Sequence, residues 1–354
     1  MNVGIGSVIY SKISQLFMVG QEPNGGPNQR PKEKIVLLGY GWAGKAFADR
    51  LNKSRYDLTV ISETPAMLNT TRMKKSLSTP DRNLFRSGRQ FITVDSITRV
   101  NLSQRQVHTV AAAGRPYKFD YLVVATGSEV NDFRVPGVQD HCHFFKTAED
   151  IETLRGDLGS NFEQSIAIVG AGPTSIELAF ELRATGFKNV TLLEAQGTIL
   201  PAFSPAAREK VIQELQTCGI LLKLNTPVIW VESKSLKLKA GPPIAFDLAI
   251  WNAGVKPKAI PGLSGLSVDD HLRLNDYTFA IGDISQKGPP TAQNANQQGI
   301  YLADAFNSPS AFKWEYKFEE KIKVLHTKDA LILDFGQKAF RFPKYFSRIY
   351  DFFI

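Results

Sequence analysis

Ile35-Val36-Leu37-Leu38-Gly39-Tyr40-Gly41-Trp42-Ala43-Gly44 is the stretch on which the fold turns. Four apolar residues end in a glycine, and Gly39, Gly41 and Gly44 make a complete GxGxxG. Ala43 to Leu51 has helical character, and Leu58-Thr59-Val60-Ile61 is a second apolar run. Strand, glycine turn, helix and strand make one βαβ unit with the strands side by side. The three glycines have separate duties. The first makes the tight turn, the second lets backbone N–H groups approach a pyrophosphate, and the third lets helix and strand close on each other. The helix N-terminus then favours the phosphate charge. Tyr40, Trp42 and Ala43 fill the turn, and Glu63, near the end of the next strand, is placed to accept from a ribose hydroxyl, with Ser62 as its competitor.

The pattern restarts about 130 residues later. Ser165 to Val169 reads as a strand, Gly170-Ala171-Gly172-Pro173-Thr174-Ser175 as a second glycine turn, and Ile176 to Ala184 as its helix. Ser175 stands where the third glycine would be and is small enough for close packing. Val190 to Leu193 is the next strand, and Glu194 follows it. A carboxylate there accepts from both ribose hydroxyls and repels a 2′-phosphate, which favours NADH over NADPH. Two such turns in one chain imply two dinucleotides, most economically FAD and NADH in an electron-transfer flavoprotein. The expected fold is α/β, with two Rossmann-like dinucleotide-binding domains and a short C-terminal region.

Between and after the repeats, Tyr121 to Ala125 is a buried strand closed by Thr126-Gly127. Residues 228–239 read as a hairpin, and Leu248 to Trp251 as a strand. Phe279-Ala280-Ile281 leads into Gly282-Asp283, and a helix is expected from about Ala292 to Phe306. The divisions expected are a flexible or weakly targeting lead at 1–33, an FAD-binding domain at 34–145 and 275–308, an NADH-binding domain at 146–274, and a C-terminal region at 309–354.

Composition narrows the function classes. The chain has 354 residues, 43% of them hydrophobic, and a formal net charge of +8. No apolar run is long enough to span a bilayer, so any membrane contact is expected to be peripheral. The positive charge is spread along the chain with no nucleic-acid signature, and no nucleic-acid partner is expected. The two cysteines, Cys142 and Cys218, form no CxxC, which excludes a local dithiol relay. No metal site is expected: His141-Cys142-His143, read as strand, would point neighbouring side chains to opposite faces.

These segments together resemble a known family, the type II (alternative, non-proton-pumping) NADH:quinone oxidoreductases of the two-dinucleotide-binding flavoproteins. The resemblance runs from about Lys34 to Ala311 and weakens toward Phe353. It rests on the two glycine turns, on Leu122 to Gly127 before Pro136-Gly137-Val138, and on Trp251-Asn252-Ala253-Gly254, similar to the family's Trp-Ala-Thr-Gly turn. Ala280-Ile281-Gly282-Asp283 resembles the flavin ribityl motif. The most family-specific stretch is Pro289-Pro290-Thr291-Ala292-Gln293-Asn294-Ala295-Asn296-Gln297-Gln298-Gly299, whose other reading is a capped helix with its glutamines facing water.

The resemblance implies an NADH:quinone oxidoreductase in which Asp283 binds the flavin ribityl and Ala292 lies along the ring. Gln293 and Gln297 would stand near the quinone head, with Asn296 at the place usually held by a histidine. Glu177 would stand near the nicotinamide–flavin contact. It also implies a peripheral protein, on the mitochondrial inner membrane or on the cytoplasmic face of another membrane, with a homodimer formed through the C-terminal region.

This sequence departs from the family in places. Asn69-Thr70-Thr71-Arg72-Met73-Lys74-Lys75 replaces an apolar, stiff loop with a basic stretch expected to be flexible. Asn296 cannot carry a proton at neutral pH. The tail from Phe340 to Ile354 interleaves aromatic and basic residues, as an interfacial segment or a packed terminal element would. Two further readings therefore stay open: an NADH-dependent flavoprotein with a non-quinone acceptor, and a nucleotide-binding scaffold subunit without turnover.

Overall fold

In a computed structural model of the chain, the described residues are 31–78, 84–87, 92–112, 114–263, 266–308, 314–320 and 322–343. Most of the lead expected at 1–33 and the tail from Lys344 onward lie outside them.

Two parallel sheets carry the two glycine turns. The first has six strands, in the order Arg273–Asn275, Thr278–Ala280, Tyr121–Val124, Glu33–Leu38, Tyr56–Ser62 and Ile92–Val94. All but the antiparallel edge strand Arg273–Asn275 run parallel. Glu33–Leu38 lies at its centre, with Leu38 opposite Ile61 on one side and Val124 on the other. A strand buried on both faces must be apolar throughout, and Ile35 to Leu38 are almost completely buried. Against this sheet the Trp42–Arg50 helix packs on the Ala292–Asn307 helix. Gly299 permits the close approach, because a Cβ there would stand 2.3 Å from the Ala43 carbonyl oxygen. Phe306 fills the centre, edge-on to Phe47, Tyr56, Tyr121 and Phe279.

The second sheet has four parallel strands, in the order Leu221–Lys223, Asn189–Leu193, Ser165–Val169 and Leu248–Trp251. Helices Pro173–Thr185 and Pro205–Thr217 belong to it. An antiparallel pair, Ser128–Val130 with Val255–Pro257, ties the two halves together. Residues 228–239 form the expected hairpin.

A C-terminal antiparallel sheet of Lys323–His326, Ala330–Asp334 and Ala339–Pro343 completes the described molecule. Its Leu325 and Ile332 share one apolar core with Met73, Leu77, Ile176 and Phe180, so the C-terminal sheet, the 69–78 stretch and the second glycine-turn helix are packed as one body. Among the described residues no helix is long and apolar enough to cross a membrane.

Two local expectations need correction. The stretch at 69–75 is ordered: Thr70–Arg72 is a 3₁₀ turn and Lys75–Ser78 a short helix. The Asn69 N–H donates to the Leu84 carbonyl at 2.7 Å, and Arg155 Nε donates to the Ser76 carbonyl at 3.1 Å. Met73 and Leu77, which enter the shared core, supply the apolar anchor that a basic composition concealed. Nor is His141-Cys142-His143 a strand, since Val138–His141 is a helical turn that Cys142 ends.

Candidate functional site

A cleft with a cavity volume of about 650 Å³ runs from the first glycine turn to the start of the second glycine-turn helix. Gly39, Tyr40, Gly41, Trp42, Ala43 and Glu63 line one end of it. The glycines behave as their separate duties require. Gly39 has φ +94°, and a Cβ on it would stand 2.5 Å from the Ala125 carbonyl oxygen. A Cβ on Gly44 would stand 2.2 Å from the Gly39 carbonyl oxygen. These two are held by protein, and Gly44 lies behind the cleft surface. Gly41 is different: nothing lies within 4 Å of the Cβ it lacks. The middle glycine therefore keeps a space open next to exposed backbone at a helix N-terminus, which is what a pyrophosphate needs.

The facing wall is Ala125-Thr126-Gly127-Ser128 with Gly282 and Asp283. Thr126 Oγ1 is buried without a hydrogen-bond partner in the protein. A buried hydroxyl is normally satisfied, so a group in the cleft is the natural partner. Asp283 accepts from Ser128 Oγ at 2.6 Å, and Lys146 Nζ donates to the same Ser128 oxygen at 2.9 Å. Burial pushes the Lys146 ammonium below its ordinary range, against the pull of Asp283. Glu63 reaches the cleft and pairs there with Lys258 at 2.6 Å.

Gln298 does not face water. It is fully buried, and its Oε1 accepts from the Gly282 N–H at 2.6 Å and from Ser285 Oγ at 3.0 Å. It thereby fixes the turn that presents Asp283.

The second glycine turn repeats the first. Gly170 has φ +106°, and a Cβ on it would stand 2.5 Å from the Asn252 carbonyl oxygen. Gly172, like Gly41, has nothing within 4 Å of its missing Cβ. Ser175 replaces the third glycine without loss of packing: it is fully buried and donates to the Asn252 carbonyl at 3.3 Å. Ala253 and Gly254 continue that loop, and the Gly254 carbonyl accepts from the Asn131 N–H at 3.0 Å. Glu194 ends its strand with both carboxylate oxygens held, one by the Ala171 N–H and one by the Gln196 N–H, each at 2.9 Å. It is not part of the cleft lining. Pro173, Thr174 and Glu177 face into the cleft and bring the second turn to the same space as the first. The residues present thus fit two dinucleotides whose inner ends meet in one cleft.

The sequence reading missed what surrounds Glu177. Lys74 Nζ lies 2.6 Å from one carboxylate oxygen. The other accepts from the His326 backbone N–H at 2.8 Å and stands 3.0 Å from His326 Nδ1. Side-chain exposures of 7% for Lys74, 17% for Glu177 and 10% for His326 make this a largely dry cluster. Burial alone would raise the Glu177 carboxyl, but the Lys74 charge and the His326 hydrogen bond outweigh it and hold the group at about 2. For Lys74 and His326 burial wins, and both are pushed below their ordinary values. No local pattern links positions 74, 177 and 326; only the shared apolar core brings them together.

The Ala292–Asn307 helix begins at the cleft, with Thr291 Oγ1 accepting from the Asn294 N–H. Ala292 and Gln293 line the cleft, and so do Phe318, Ile322 and Val324 together with the ion-paired Glu320 and Lys323. Asn296 and Gln297, expected near an acceptor head, are not part of the lining. Gln297 is bound in both directions to the Glu319 backbone, at 2.8 and 3.0 Å. Gln297, four residues and about 6 Å of helix rise beyond Gln293, is taken up by the 314–320 segment instead.

Comparison with known proteins places this geometry. Residues 33–299 match the family model for pyridine nucleotide-disulphide oxidoreductases. The chain is 28% identical, over 80% of its length, to the external alternative NAD(P)H-ubiquinone oxidoreductase B3, mitochondrial, of Arabidopsis thaliana, and covers 59% of that protein. It is 28% identical to a probable NADH dehydrogenase of Dictyostelium discoideum, over 78% of this chain and 74% of that one. In fold it is similar to NDH2 of Plasmodium falciparum solved with NADH, with a TM-score of 0.81, 18% identity, and coverage of 91% of this chain and 94% of that one. The chain spans between half and three fifths of the length of the Arabidopsis thaliana relatives it matches.

Proposed function

The chain belongs to the pyridine nucleotide-disulphide oxidoreductase family, and we propose that within it the chain is an FAD-dependent, non-electrogenic NADH:quinone oxidoreductase. The observation that carries this reading is the pairing of two glycine turns. Each has its middle glycine beside open space, and residues of both, Gly39 to Ala43 and Pro173 with Thr174, line one cleft. The names of the ubiquinone oxidoreductases among the relatives supply the acceptor class.

In this reading the residues divide the work. Gly39, Gly41 and Gly44 with the Trp42–Arg50 helix would hold the flavin pyrophosphate, and Asp283, kept in place by Ser128 and Lys146, the ribityl hydroxyls. Thr126 would satisfy its buried hydroxyl on the same cofactor. Gly170, Gly172 and Ser175 would hold the NADH pyrophosphate, and Glu194 the adenosine ribose. Bound FAD supplies the two-electron chemistry: it accepts hydride from NADH and passes two electrons to the acceptor. The protein orients the two rings and keeps water from them, which is where its rate advantage lies. Glu177 would stand at the nicotinamide end, and Gln293 with Phe318, Ile322 and Val324 would form the acceptor contact. In this reading residues 34–145 and 275–308 serve FAD and residues 146–274 serve NADH.

Peripheral attachment at a mitochondrial inner membrane and a homodimer through the C-terminal region complete the proposal. The mitochondrial relatives and the exposed Phe335 and Phe340 of the last hairpin support it. The placement of Asn296 and Gln297 outside the cleft favours, as a second reading, a small acceptor other than quinone.

The test is an anaerobic titration of the flavin-loaded protein with NADH, followed by addition of a short-chain ubiquinone, oxygen or a one-electron dye. Bleaching by NADH and fast reoxidation by the quinone is the expected result. Bleaching with reoxidation only by the other acceptors would replace quinone in the proposal. No bleaching would leave a nucleotide-binding scaffold.

A further inference from the structure

Strand Lys323–His326 lies far in sequence from both glycine turns, yet it ends on Glu177, the cleft-lining carboxylate of the second glycine-turn helix. Glu177 Oε1 takes two bonds from one residue: the backbone N–H and the Nδ1 of His326. An ionised carboxylate only accepts. The imidazole must therefore carry its proton on Nδ1, and Nε2 is left as the other ring position. Oε2 is held by Lys74. Both oxygens are thus held by residues that do not line the cleft, while Glu177 itself does, and the carboxylate is fixed in one orientation.

The other charged groups around the cluster are Lys75, which opposes positive charge on both Lys74 and His326, and Glu181, one helical turn beyond Glu177, which favours it on Lys74. The packing explains why the contact is rigid. Leu325, next to His326, shares its core with Ile176, next to Glu177, and with Met73, next to Lys74.

We propose that His326 is a positioning residue for hydride transfer: through Nδ1–H it fixes the orientation of Glu177, and thereby makes docking of the C-terminal sheet a condition for a productive nicotinamide. This rests on the function proposed above. The hydride moves from the nicotinamide C4 to the flavin with its two electrons, oxidising the first and reducing the second. His326 takes no part in the bond changes. Misorientation of a group at such a contact costs on the order of 100-fold in rate when the reacting atoms move by about 1 Å.

The experiment uses the flavin-loaded full chain and follows flavin bleaching by NADH in a stopped-flow instrument. His326→Leu removes the side-chain bond and keeps the backbone one. His326→Asn can return an N–H to the place of Nδ1. The expected result is a limiting bleaching rate at least tenfold slower for His326→Leu, with unchanged flavin content, and recovery to within about threefold of wild type for His326→Asn. A merely structural role would not separate these variants. As a readout independent of turnover, ¹⁵N NMR of the apoprotein should show His326 protonated at Nδ1 and changed in Glu177→Gln. A His326→Leu protein that bleaches at the wild-type rate, a His326→Asn protein as slow as His326→Leu, or a ring without the Nδ1 proton overturns the inference alone. A wild-type protein that NADH leaves oxidised overturns the proposed function and this inference with it.

Discussion

Adding one methyl group to Gly41 should separate binding from folding, because the structure gives Gly41 and Gly44 opposite surroundings. Gly41 has an ordinary φ of −80° at the helix N-cap, and nothing lies within 4 Å of an added Cβ. Alanine there gains about 0.4–1 kcal/mol from a stiffer unfolded chain and loses a similar amount as a poorer N-cap, so Gly41→Ala should leave apoprotein stability within about 1 kcal/mol of wild type. The same methyl fills the space where a pyrophosphate would meet the backbone. Two charge-assisted N–H bonds at about 1.5–3 kcal/mol each are at stake, and a loss of 3 kcal/mol is already about 100-fold in affinity. Gly44→Ala should do the reverse. Its Cβ would stand 2.2 Å from the Gly39 carbonyl oxygen, and backbone on both sides has no room to yield. A cost on the order of 3 kcal/mol, at the top of the overpacking range, is expected. The assay is FAD titration of apoprotein by flavin fluorescence quenching, beside thermal unfolding without flavin. A Gly41→Ala protein that binds FAD within threefold of wild type would refute the assignment of that open space to the cofactor.

Glu194→Ala should raise the NADPH-to-NADH ratio of kcat/KM at least tenfold, since it removes the carboxylate that repels a 2′-phosphate and frees the Ala171 and Gln196 N–H groups; steady-state kinetics with both nucleotides decide it, and an unchanged ratio would count against that site. Lys74→Met should cost about 3–5 kcal/mol in urea unfolding at pH 7, the usual penalty for leaving one buried charge unpaired, and Glu177→Gln in the same chain should restore much of it. A Lys74→Met protein as stable as wild type would show the ion pair to be energetically silent. The Glu177 carboxyl is held at about 2 against an ordinary 4.5. A depressed carboxyl stabilises the fold above the unfolded value and loses that contribution as pH falls through the folded one. The stability advantage of wild type over Glu177→Gln should therefore be constant above pH 5 and shrink by about 3 kcal/mol toward pH 2, followed by denaturant unfolding at each pH. An advantage that does not change over that range would contradict the placement of the Lys74 charge. Gln298→Leu removes the acceptor of the buried Gly282 N–H and should weaken FAD retention about tenfold, measured as flavin released on gel filtration; full retention would mean the Asp283 turn holds itself.

Much of this protein was legible along the chain because the decisive features are local. A buried parallel strand must be a continuous apolar run, and Ile35 to Leu38 and Ser165 to Val169 announce themselves that way. A dinucleotide turn needs glycines at fixed offsets, and the turns at 39–44 and 170–175 show them within six residues each. The ends of the next strands then place Glu63 and Glu194 by counting.

Tertiary structure decided what counting cannot reach. Lys74 looked like part of a solvated basic stretch, yet Met73 and Leu77 pull that stretch into a core with Ile176 and Leu325, and the lysine is carried onto Glu177. His326 had no motif at all, and its role appears only because a C-terminal strand packs against the second glycine-turn helix. Gln293 and Gln297 share a helix face, but one turn of rise along it changes what packs alongside, the cleft for the first and the Glu319 backbone for the second. Backbone turns are specified by the residues that make them. Side-chain environments are specified by whatever the rest of the chain brings alongside, and for Glu177 that came from residues 103 positions before it and 149 after it.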